Sequence, residues 1–126
     1  MQLTLENPEH EYVLRGADGE SARINERRLT ASFVLAPATL VESWPVPDAR
    51  TLAPEHLQPL LELDPEVILL GTGARQVFPP AAVMAACLGR GIGIEIMTNA
   101  AAARTFNVLA GEERRVVAGF ILQGGS

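Results

Sequence analysis

Apolar and polar positions alternate along this chain in two rhythms. From Tyr12 to Trp44 they come in short runs with a period near two, each closed by a turn signal. Tyr12–Gly16 and Ala22–Asn25 flank Ala17-Asp18-Gly19-Glu20. The Asp-Gly pair tolerates positive φ, so these segments predict a hairpin. Thr30–Leu35 and Thr39–Trp44, separated by Ala36-Pro37-Ala38, are rich in β-branched and aromatic residues and predict two further strands. Trp44 stands directly before Pro45, and the residue before proline avoids the helical region, so the chain is expected to leave the sheet extended there. Pro54 then opens a short helix, Glu55 to Leu63, with Leu57, Leu60 and Leu61 as its buried stripe. Pro59 inside it predicts a short or kinked helix.

From Val67 to Leu122 strand and helix signals alternate. Val67-Ile68-Leu69-Leu70 is apolar on both faces, as in a central strand covered on both sides. Gly71-Thr72-Gly73 follows at its C-terminal end, and Pro79-Pro80 starts a helix through Ala81, Val83, Met84, Cys87 and Leu88. Gly91–Met97 predicts the next strand, with Ile92, Ile94 and Ile96 on one face and Gly93, Glu95 and Met97 on the other. Thr98 or Asn99 is placed to cap an alanine-rich helix whose Ala102, Phe106 and Leu109 share a face; Gly111 ends it. Val116–Leu122 is again apolar throughout and predicts a last strand, its direction left open.

This layout predicts an α/β fold. One layered domain spanning residues 1–126 is expected, with a central mixed β-sheet, helices packed on it, and an N-terminal antiparallel strand region. If the strands at Val67 and Ile92 run parallel, the Gly71-Thr72-Gly73 turn and the Thr98-Asn99 cap become neighbours at one sheet edge. Ligands of open α/β sheets bind beyond the carboxyl ends of strands, where helix starts offer free N–H groups and partial positive charge. A small anionic ligand suits such an edge, with Arg75 as a bidentate partner. The candidate ligand-binding residues are therefore Gly71, Thr72, Gly73, Arg75, Glu95, Thr98, Asn99 and Arg104. Each also has a plainer role. A tight turn accounts for Gly-Thr-Gly and a helix cap for Thr98-Asn99. Glu95 suits an open sheet edge, and Arg104 a solvated helix face. No nucleophile–base pair can be assembled from spacing, so no catalytic residue is named.

Composition removes several function classes. The net charge of −5 argues against nucleic-acid binding, which relies on Lys and Arg against phosphate. All ten cationic side chains are arginine, so a Walker-type lysine and Schiff-base chemistry are excluded. Cys87 is the single cysteine and reads as a small buried hydrophobe. With only His10 and His56 as histidines, dispersed, no metal site and no cofactor are expected. Met1–Pro8 lacks a basic start and an apolar core, and no apolar run approaches the ~20 residues that span a bilayer. A soluble cytoplasmic protein without membrane insertion is the expectation.

The runs Gly71-Thr72-Gly73, Gly91-Ile92-Gly93-Ile94-Glu95-Ile96-Met97-Thr98 and Ala103-Arg104-Thr105-Phe106-Asn107-Val108-Leu109 resemble one family. It includes the mitochondrial NADH:ubiquinone oxidoreductase (complex I) assembly factor three and the adipogenesis-associated domain protein, with uncharacterised bacterial and archaeal members. The resemblance extends upstream to Ser43-Trp44. Phe106 stands where the family suggests tyrosine, so no phenol hydroxyl is available there. The resemblance implies a layered α/β domain around a mixed sheet, no established catalytic residue set, and a protein partner of unidentified kind. It points to a non-catalytic accessory or interaction module in assembly of a respiratory or membrane complex. The alternative from the residues is an anion-binding protein or enzyme at the Gly71–Gly73 and Thr98–Asn99 edge.

Overall fold

The computed structural model describes residues 12–123. Met1–Pro8 and His10, which entered the reading of the N-terminus and of metal binding, lie outside the described residues. Strands β1 (Leu14–Ala17), β2 (Ala22–Ile24) and β3 (Arg27–Leu29) make an antiparallel sheet in that order. Strands β4 (Phe33–Ala36), β5 (Thr39–Val41), β6 (Val67–Gly71), β7 (Gly93–Met97) and β8 (Val116–Phe120) make a second sheet, ordered β5-β4-β8-β6-β7. Helices α1 (Gln58–Leu61), α2 (Ala81–Leu88) and α3 (Asn99–Gly111) complete the mixed α/β architecture.

The second sheet is mixed because of β8. It pairs parallel with β6, Val67 opposite Val116 through Gly71 opposite Phe120, and antiparallel with β4, Phe33 opposite Phe120. All five of its residues are buried, as their uninterrupted apolar run requires of a strand with neighbours on both sides and covered faces. Strands β6 and β7 run parallel, Val67 opposite Gly93 through Gly71 opposite Met97, so their C-terminal ends share one sheet edge.

Two predicted elements differ. Of Thr30–Leu35, expected as one strand, only Phe33–Leu35 is in a strand, β4, and an unexpected strand, β3, precedes it at Arg27–Leu29. A turn at Asn25-Glu26, with Asn25 at φ 53°, folds β3 back onto β2. Arg27 and Arg28 are exposed and only Leu29 of β3 is buried, so this strand has almost no hydrophobic pattern. The helix expected over Glu55–Leu63 is a 3₁₀ turn, Pro54–Leu57, followed by one α-turn, α1. Pro59 is accommodated near its start, where a missing N–H costs nothing.

Each face of the larger sheet carries its own core. On one side Ile68, Leu70, Ile94, Ile96, Val117 and Ile121 meet α1, α2 and the Trp44–Leu57 segment. On the other, Phe33, Leu35, Leu69, Ala118 and Phe120 meet α3 and the inner face of the three-stranded sheet. Phe33 and Phe120 stack at 5.0 Å across the β4–β8 pair. On the first side Trp44 lies over Gly119, its Nε1–H donating to the His56 carbonyl at 2.9 Å. At the far end of the strands, Glu66 accepts from the Arg115 N–H and from Arg114 Nε, both at 3.0 Å, and so clamps the start of β6 to the start of β8.

Two outcomes follow from these contacts. A Cβ at Gly119 would stand 2.7 Å from the anchored Trp44 ring. Gly119→Ala should therefore lose about 1–3 kcal/mol of unfolding free energy in denaturant titration. The loss should shrink in a Trp44→Leu background, and purely additive effects would refute the clash. The Arg115 N–H and Arg114 guanidinium hold the Glu66 carboxyl below its ordinary value of 4.5. A lowered folded-state pKa means the carboxylate stabilises above pH 4.5, with that contribution lost as pH falls through the folded value. Glu66→Gln should be less stable than wild type at pH 7, and the gap should close in melts taken below pH 4.5.

Candidate functional site

The C-terminal ends of β6 and β7 lie side by side, and the turns leaving them interlock. Gly71, Thr72 and Gly73 are all buried. The Thr72 N–H donates to the Met97 carbonyl at 3.0 Å, which extends the β6–β7 ladder by one bond. Thr72 Oγ1 donates to the Arg75 carbonyl at 2.6 Å and accepts from the Val77 N–H at 3.0 Å. One hydroxyl thus shapes the whole 72–77 loop. Gly73 sits at φ +109°, which side-chain-bearing residues rarely adopt.

Thr98 is the N-cap of α3, its Oγ1 accepting from the Ala101 N–H at 3.2 Å. Asn99 begins the helix, and its N–H donates to the Gly73 carbonyl at 2.8 Å. The Ala102 N–H bonds the Thr98 carbonyl. Most of the donors a helix start offers are therefore taken up within the chain.

The side chain of Asn99 is fully buried. Its Nδ2 donates to the Asp18 carbonyl at 2.8 Å and to the Ile121 carbonyl at 3.0 Å. Two carbonyl partners fix the orientation of the amide, since only the nitrogen can donate. Oδ1 has no hydrogen-bond partner among the described residues and abuts Gly71, where a Cβ would run into it. A Cβ at Gly71 would also come within 3.1 Å of Phe120. Gly71 is thus required for close approach of the helix start to the strand end.

The remaining candidates separate. Arg75 is exposed in the 72–77 loop and Glu95 is exposed on β7; neither forms an ion pair among the described residues. The β7 ladder directs the backbone of Gly93 and Met97 toward β6, so Ile96 presents its carbonyl to the outer edge. Gln76 Nε2 donates to that carbonyl at 2.8 Å. The residue guarding this edge is therefore Gln76, which sequence reasoning did not single out. Arg104 lies elsewhere, on a hollow of about 240 Å³ between α3 and β1 that it lines with Arg15, Gly16 and Asn107. Asn107 is the other polar residue that sequence reasoning missed. Its amide pairs with both backbone groups of Leu14, accepting from N–H at 3.3 Å and donating to the carbonyl at 2.7 Å, and so completes the edge of β1. Cys87 is buried in the α2 core, and burial pushes its thiol upward. Among the described residues no group of three or more His, Cys, Asp or Glu is placed to hold a metal. None of their helices is long and apolar enough to cross a membrane.

The profile of a family described as "Protein of unknown function (DUF498/DUF598)" matches residues 14–121. An NMR structure of a Xanthomonas campestris protein is 56% identical, covers 100% of this chain and 96% of that one, and superposes with a TM-score of 0.87. A Francisella tularensis subsp. holarctica (strain LVS) protein named "13 kDa major membrane protein" is 32% identical over 71 residues, 56% of this chain and 58% of the relative. The Danio rerio "NADH dehydrogenase [ubiquinone] 1 alpha subcomplex assembly factor 3" is 38% identical over 90 residues, 70% of this chain and 51% of the relative. The chain thus spans little more than half the length of these two curated relatives.

Asn99→Asp keeps the shape of the amide but sets a carboxylate oxygen against two carbonyls. At pH 7 it should cost about 3–5 kcal/mol, the scale of an uncompensated buried charge. At pH 4 the loss should be smaller, because a neutral carboxyl can donate one O–H. Denaturant titrations at both pH values check this, and an equal loss at each would contradict the donor role.

Proposed function

Because this chain belongs to the DUF498/DUF598 family of proteins of unknown function, we propose that it is a non-catalytic accessory module. It acts by binding another protein, in the assembly of a respiratory or membrane complex. The supporting observation is how the sheet edge uses its donors. Electrostatic catalysis needs N–H groups aimed at a vacant position where charge will develop. Here the Thr72, Asn99 and Ala101 N–H groups meet the Met97 carbonyl, the Gly73 carbonyl and Thr98 Oγ1 instead. The buried amide of Asn99 closes the space between strand end and helix start. That arrangement suits a rigid body offering its surface better than a reaction centre. The name of the Danio rerio relative, an NADH dehydrogenase assembly factor, gives the proposed role its direction.

The test is made in cells from which this chain has been deleted. Membranes resolved on native gels should contain less fully assembled NADH dehydrogenase, while the specific activity of the complex that does assemble is unchanged. Restoring the chain should restore the amount. Undiminished complex levels in the deletion would sink this reading.

A further inference from the structure

Ten arginines are the chain's entire cationic complement, and all ten are among the described residues. Arg27, Arg50, Arg114 and Arg115 are paired with Glu42, Asp48, Glu66 and Asp64. Six form no ion pair among the described residues, and four of those six collect around one short strand. Arg15, Arg23 and Arg28 line a hollow of about 310 Å³ on the outer face of the three-stranded sheet. Arg104 lines the adjoining hollow on the α3 side of β1. The two hollows share Arg15, Gly16 and Ala17, so the cationic surface is continuous across β1.

The register explains how the charges come together. Gly16, Arg23 and Arg28 stand opposite one another across the three strands and are the outward-facing set, while Leu14, Ile24, Ala22 and Leu29 point inward. Arg23 and Arg28 are thus directly cross-strand, and like charges so placed repel when nothing lies between them. Gly16 supplies no side chain at the third position, and a Cβ built there meets nothing within 4 Å. The acid sharing the hollow is Asp18. Its carboxylate is engaged by the Glu20 and Ser21 N–H groups, both at 2.8 Å. Those bonds, with Arg28 beside it, hold its carboxyl below the ordinary carboxylate value. One committed carboxylate among four guanidiniums leaves an excess of positive charge, on a chain whose net charge is −5.

We propose that this arginine face, from Arg28 and Arg23 across Gly16 to Arg15 and Arg104, binds an extended acidic segment of a partner protein. Guanidinium groups match carboxylates with paired donors, which suits side chains of aspartate and glutamate spaced along a strand. Two shallow adjoining hollows, rather than one enclosed pocket, fit a chain of separated carboxylates better than a single compact anion. The inference rests on the protein-binding reading above and names the chemistry of that partner.

The probe is a rhodamine-labelled decapeptide of alternating glutamate and glycine, followed by fluorescence anisotropy with the full chain. Its glutamine counterpart and inorganic phosphate are run beside it. The glutamate peptide should bind and the glutamine peptide should not, with affinity falling about tenfold or more as salt is raised, since the charges are exposed. Arg23→Ala/Arg28→Ala should weaken binding at least tenfold, whereas Arg90→Ala, which removes an arginine lining a different hollow beside Asp64 and Glu66, should leave it unchanged. Gly16→Glu places a carboxylate in open space beside both arginines and should block the peptide without unfolding the chain; its far-ultraviolet spectrum and melting temperature check the fold. The proposal is overturned if wild type ignores the glutamate peptide, if Arg90→Ala weakens it as much as the double variant, or if phosphate alone binds. Were the peptide result negative while deletion still lowered complex levels, the partner's chemistry would be wrong and the accessory role would stand. Peptide binding with unchanged complex levels would leave this site intact and remove the assembly role.

Discussion

A primary amide with no exposed surface, that of Asn99, joins three parts of the chain that are distant in sequence. Its nitrogen donates to the carbonyl of Asp18 in the hairpin of the smaller sheet and to that of Ile121 just beyond β8. Its own backbone N–H reaches Gly73 after β6. A buried polar group left unpaired costs more than the bond itself contributes, so the two carbonyls and the amide hold one another in place. The start of α3 is thereby set against the end of β6, and Gly71 is bare because any side chain would displace that amide. The same bonds draw the three-stranded sheet over α3 and the face of the larger sheet that carries Phe33 and Phe120.

The alternation of strand and helix after Val67 was legible because each element there buries an apolar face with a clear period. The adjacency of the Gly71–Gly73 turn to the Thr98–Asn99 cap was legible too, since it follows from two parallel strands. Strand β3 was not, because two of its three residues are exposed arginines and periodicity has nothing to register. The direction of β8 was hidden for another reason. A strand buried on both faces carries the same pattern whichever way it runs. At the candidate site, Thr98 was recognisable as a cap from its immediate neighbours. The Asn99 amide was not, because its acceptors lie 81 and 22 residues away. Arg104 was identified by type, but only the packing of α3 against β1 shows that it belongs with Arg15 rather than with Gly73.

These features give a division of labour between the two sheets. The larger one is closed on both faces, and its β7 margin carries the Gln76 amide on the Ile96 carbonyl and an exposed Glu95, two devices that discourage another strand from adding there. The smaller sheet presents a polar outer face, with its inner face supplying Leu14, Ile24 and Leu29 to the core. Recognition at such a face depends on charge and on matching geometry, so it favours rapid, salt-sensitive encounters.

The central position of β8 also has a consequence in time. Strands β4 and β6 are made before it, yet neither pairs with the other; both wait for a segment some forty-five residues beyond β6 to enter between them. A chain emerging during translation therefore holds two apolar strands, each with an open margin, until Val116–Phe120 is released. Sheet closure of this kind depends on non-local pairing, which is slow and leaves partly formed species prone to association. Completion of the fold is thus tied to the arrival of its latest strand, and a nascent chain stalled before residue 116 would be a client for chaperones rather than a partial module.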